Sequence, residues 1–120
     1  MKEEYVQILL DKSQENFKAA EILKAKGWLN AAMSRLYYSL FLLIKYKLKG
    51  YNPGPGADSH KKTFYKIFLD YNLDFFNKLN KFKQKRVIAD YYTKSIQEKD
   101  FEYWLLNYIE IQKALEKIHD

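Results

Sequence analysis

Three of the four glycines and both prolines of this chain lie between Gly50 and Gly56. These are the residues that break helices, glycine through backbone freedom and proline through its missing N–H and fixed φ. Their confinement leaves long stretches on either side in which helices run uninterrupted, with Gly27 the one remaining stop. The segment Glu3 to Lys26 places Tyr5, Leu9, Phe17, Ala20 and Leu23 at helical spacing, with Lys and Glu opposite. A second helix, Leu29 to Lys49, is apolar around most of its circumference and belongs at the centre of a bundle.

Beyond the loop, Asp58 or Ser59 can cap a third helix over His60 to Asp70, with Phe64, Ile67 and Phe68 as its stripe. Tyr71 to Leu73 is a short connector. Asp74 then caps a fourth helix to about Thr93, with Phe75, Leu79, Phe82, Ile88 or Ala89, and Tyr92 inward and Lys78, Lys81 and Lys85 outward. Asp100 caps a fifth, through Ile118, where Trp104, Tyr108, Ile111 and Leu115 recur at spacings of four, three and four. The expectation is an all-α fold over residues 1–120: a single domain built as an antiparallel up-and-down four-helix bundle with one short extra helix.

Cysteine is absent, which excludes disulfides, thiolate metal sites and a Cys nucleophile. No His/carboxylate metal spacing, Gly-rich phosphate loop or Ser-His-Asp arrangement appears, so neither a metal nor another cofactor is expected. Met1-Lys2-Glu3-Glu4 lacks the apolar core of a signal peptide, and Leu40 to Ile44 is far too short an apolar run to span a membrane. A cytoplasmic protein without a membrane partner is expected.

The net charge of +6 is uneven: Lys45 to Arg86 carries +8 and Val87 to Asp120 carries −3. A basic middle attracts phosphate backbones, although nineteen Lys in a chain rich in Tyr and Asn also describe an ordinary solvated face. Most of the eleven Tyr and eight Phe fall on core stripes. Tyr51 and Tyr103 are the exposed candidates for base stacking.

Several ordered motifs stand out between Phe17 and Tyr91. Phe17-Lys18-Ala19-Ala20-Glu21-Ile22-Leu23 precedes Gly27-Trp28-Leu29-Asn30-Ala31-Ala32, and Ser34-Arg35-Leu36-Tyr37-Tyr38-Ser39-Leu40-Phe41 follows. Further on come Ser59-His60, opening a helix that ends near Phe68, and Arg86-Val87-Ile88-Ala89-Asp90-Tyr91. In this order they resemble one branch of the HEPN superfamily. The resemblance implies a helical bundle that forms homodimers, with a small nucleotidyltransferase as partner in toxin–antitoxin or defence pairs. It also implies RNA or a nucleotide as ligand.

The ribonucleases of that family carry Arg, four to six residues, then His, at a dimer cleft and without a metal. Here the positions after Arg35 are Leu40, Phe41 and Leu42, and Leu42 stands where the related branch has His. Seven residues are close to two helical turns, so Arg35 and position 42 share a face, but Leu can neither accept nor donate a proton. A binding or regulatory module is therefore expected ahead of a ribonuclease. The alternatives are a metal-independent endoribonuclease in which His60, or the dimer partner, supplies the acid–base group with Arg35, and a bundle that binds only protein.

Arg35 can hold a phosphate or carboxylate bidentately, or pair with a buried acid such as Asp90. His60, at a helix N-terminus, is expected to be neutral and to act as base, hydrogen-bond donor or cap. His119 is penultimate and a poor candidate. Arg86 and Asp90 lie four apart with Tyr91 beside them. They form either a local ion pair or, with Arg35 and anchored by Tyr37 or Tyr38, one polar network inside the bundle.

Overall fold

The computed structural model describes residues 2–92 and 95–118, and among them it is all-helical, with no strand. The helices are α1 (Lys2–Ala25), α2 (Leu29–Lys47), α3 (Ser59–Tyr71), α4 (Phe76–Tyr91) and α5 (Glu98–Glu116). The expected end of the fourth helix at Thr93, like His119, lies outside the described residues. Helix α2 packs against each of the other four, which accounts for its apolar circumference: Ala32, Met33, Leu36, Tyr37, Ser39, Leu40, Leu43 and Ile44 are all buried.

One turn joins α1 to α2. Gly27 sits at φ +78°, and the Trp28 N–H donates to the Leu23 carbonyl at 2.9 Å while the Gly27 N–H donates to Lys24 at 2.9 Å. This is the double bond of a Schellman stop, and it uses the left-handed conformation that glycine adopts without a Cβ penalty. The chain turns back so that Ser13 lies beside Ser39 and Asn16 beside Arg35, the falling register of an antiparallel pair. Helix α2 ends on the same pattern, with Lys49 at φ +57° and the Gly50 N–H bonded to Lys45 at 2.8 Å.

A hydroxyl cluster ties α1, α2 and α5 together inside the core. Ser13 Oγ donates to the Ser39 carbonyl at 2.6 Å, and Ser39 Oγ donates to the Ser13 carbonyl at 2.7 Å. With the only Ser39 hydroxyl proton so committed, the Tyr108 phenol is the donor across its 2.8 Å contact with Ser39 Oγ. Burial raises the pKa of that phenol, which keeps it a donor. One buried cluster around this tie draws on all five helices, from Ala20 on α1 through Phe64 and Phe82 to Trp104 and Leu115.

Several residues sit differently from expectation. Tyr5 and Tyr92 are exposed rather than inward. Tyr5 lies over the α2 terminus, where a Cβ on Gly50 would come 3.0 Å from its ring. Tyr92 follows the last turn of α4, beyond the stripe. Tyr51 is half-buried, with Lys66 over its ring, whereas Tyr103 is exposed as expected. Asp74 is not the cap of α4, whose N-cap position is Phe75. Asp100 caps α5 from within: Gln97 is the N-cap, and the Asp100 carboxylate accepts its backbone N–H at 3.2 Å in a capping box.

Candidate functional site

Tyr37, Tyr38 and Phe41 project from one side of α2 because positions one, three and four apart share a helical arc. His60, in the first turn of α3, lies against them. Its ring stacks on Phe41 at 4.0 Å between centres and 7° between planes. The Tyr37 hydroxyl meets Nδ1 of His60 at 2.5 Å. Phenol is the better donor and an unprotonated imidazole nitrogen the better acceptor, so Tyr37 Oη–H donates to Nδ1 and the ring proton resides on Nε2. Nε2 bonds to no described residue.

Both members of the pair are neutral at neutral pH. Burial pushes the Tyr37 phenol far above its ordinary range, an effect that the Arg86 charge only partly offsets. Burial also lowers His60 from 6.5 to about 4, and the positive charges of Lys83, Arg86 and Lys45 push the same way.

Arg86 on α4 is buried, its guanidinium 5.6 Å from the Tyr37 ring centre and 5.2 Å from that of Tyr38. Cation–π attraction to two rings contributes to holding it there. Its Nη1 reaches Asp90 at 3.5 Å, and Ser34 Oγ donates to the same carboxylate oxygen at 3.3 Å. Its Nε is buried and makes no hydrogen bond. The structure thus brings Arg86, Asp90, Tyr37 and Tyr38 together, with Ser34 as the α2 contact of Asp90.

Arg35 is not part of it. Arg35 is exposed and hydrogen-bonds Asn16 on α1 at 3.3 Å, at the edge of a shallow groove lined by Lys12, Glu15 and Ile22. The reason is angular: by the 3.6-residue turn, positions 37 and 41 lie on roughly the opposite side of α2 from position 35. Arg35 and His60 thus face different grooves within one chain. Tyr91 is 75% exposed and also stands outside the network.

Between α3 and α4 runs an open groove of about 560 Å³ lined by Lys61, the sequence neighbour of His60, and by Asn80, Lys83, Gln84, Val87, Ile88 and Tyr92. Amines and amides share it with an apolar lining, and the Asn80 Oδ1 atom is buried there without a hydrogen-bond partner. Sequence reasoning overlooked Lys45, Lys83 and Ser34. The available signals were the four-residue spacing from Phe41 to Lys45 and the place of Ser34 directly before Arg35 in the motif. Among the described residues no group of three or more His, Asp or Glu is placed to hold a metal ion. Nor is any helix long and apolar enough to cross a membrane.

No protein-family model, curated protein or solved structure matches the chain.

Proposed function

We propose that the chain is a HEPN-like up-and-down bundle acting in the cytoplasm as a binding or regulatory module for RNA or a nucleotide. Its partners are a second copy of itself and a small nucleotidyltransferase of a toxin–antitoxin or defence pair. The observation that carries a binding role over a catalytic one is the hydrogen bond between the Tyr37 hydroxyl and Nδ1 of His60. Nδ1 accepts from Tyr37 and Nε2 carries the proton, so at neutral pH the ring is a hydrogen-bond donor with no free lone pair. A pKa near 4 also leaves it almost no protonated form with which to act as an acid.

A ribonuclease using Arg35 with His60 would need both at one scissile phosphate, and one protomer holds them on opposite sides of α2. The groove with Lys61 and Lys83 beside an apolar lining supports a ligand with both phosphate and base. The test is fluorescence anisotropy with single-stranded RNA across a salt series. Affinity should fall with salt, and Lys61→Glu combined with Lys83→Glu should weaken it by about tenfold or more while the RNA remains uncut. Absence of binding at low salt would remove the proposal. Cleavage that is lost in Arg35→Ala and in His60→Ala would replace it with the nuclease.

A further inference from the structure

We infer that Lys45, His60 and Lys83 form a subsite for a terminal phosphate monoester of RNA, beside the groove that takes the rest of the strand. The inference rests on the RNA-binding role proposed above and adds the part of the ligand that is read. Three helices contribute. Lys45 follows Phe41 by one turn of α2, with Nζ 5.9 Å from the centre of the Phe41 ring, the same ring on which His60 stacks at 4.0 Å. Lys83 enters from α4 and lines the groove together with Lys61, the sequence neighbour of His60.

Charge decides what such a place holds. The charged groups that act on His60 are Lys83, Arg86 and Lys45, all positive. Arg86 is matched by Asp90, whereas neither Lys45 nor Lys83 forms an ion pair with a described carboxylate. Two positive charges without an ion-pair partner therefore act on the ring that offers one neutral N–H donor, Nε2 of His60. A backbone phosphodiester brings a single negative charge, but a terminal monoester brings close to two at neutral pH and more acceptor oxygens. The monoester is the better match in both charge and hydrogen bonds. Tyr37 contributes as a positioning residue: by occupying Nδ1 it keeps the ring proton on Nε2.

The experiment measures binding of the full chain to one short RNA carrying a phosphate at its 5′ end, at its 3′ end, or at neither. One phosphorylated form should bind about tenfold more tightly than the unphosphorylated strand, the size expected of one charge-assisted contact set. Lys45→Met with Lys83→Met, two polar side chains outside the core, should abolish that preference with an unchanged circular dichroism spectrum. His60→Gln should reduce it. Equal affinity for all three strands overturns the subsite while leaving RNA binding in place. Failure of every strand to bind overturns both the subsite and the function on which it rests. A preference that survives in the double Lys variant also overturns the assignment.

Discussion

Tyr37 and His60 are held neutral by the same burial acting on opposite kinds of group, an acid pushed up and a base pushed down. This has a consequence for stability. An unfolded chain protonates His60 near pH 6.5, and the folded chain resists until about 4. Between those values the unfolded state binds more protons, so the His60 contribution is full above about pH 6.5 and is lost as pH falls toward 4. The charges that act on the ring are those of Lys45, Lys83 and Arg86. Urea midpoints measured from pH 7 to pH 4 should decline more steeply for the wild type than for His60→Gln; parallel declines would contradict the assignment. In Lys83→Met the imidazole pKa should move upward from about 4, read by NMR titration. Ser39 makes a separate prediction. Ser39→Ala strands the Tyr108 hydroxyl and removes a bond to the Ser13 carbonyl, at a cost of about 1–3 kcal/mol in thermal or urea unfolding.

The helix ends show how local rules and tertiary context divide the work. Lys49 holds φ +57° at the position where glycine is preferred, and the glycine comes one residue later. Lys49→Gly should therefore stabilise the chain by about 0.5–1 kcal/mol. Gly50→Ala should destabilise it by about 1–2 kcal/mol, because φ is +81° and the new Cβ would lie 3.0 Å from the Tyr5 ring. Denaturant midpoints of the two variants should move in opposite directions. The elements themselves were legible in the sequence, since the Gly/Pro cluster and the spacing of Trp104, Tyr108, Ile111 and Leu115 are local signals. Asp74 and Asp100 misled as caps because a helix can begin on a residue such as Phe75 that tertiary packing holds, or be capped from its third position. The site was partly legible. His60, Arg86, Asp90 and the paired tyrosines were visible as chemistry, but the side of α2 that meets α3 and α4 is a property of packing. That is why Arg35, adjacent in sequence to Ser34, lies outside the network that Ser34 joins.

At the scale of the whole molecule, the core is continuous across all five helices, from Ala20 to Leu115. Unfolding should be cooperative: fluorescence of buried Trp104 and exposed Trp28 together with far-ultraviolet circular dichroism should give coincident urea transitions. Loss of residues 98–118 removes Phe101, Trp104, Tyr108, Ile111 and Leu115 and should abolish that transition. The placement of α2 carries this further. Because α2 packs against four other helices, any opening that bares its buried side must first displace its neighbours. The amides of Leu36 to Leu43 should then exchange with deuterium at a rate set by global unfolding, and they serve as an internal gauge of the stability of the entire chain.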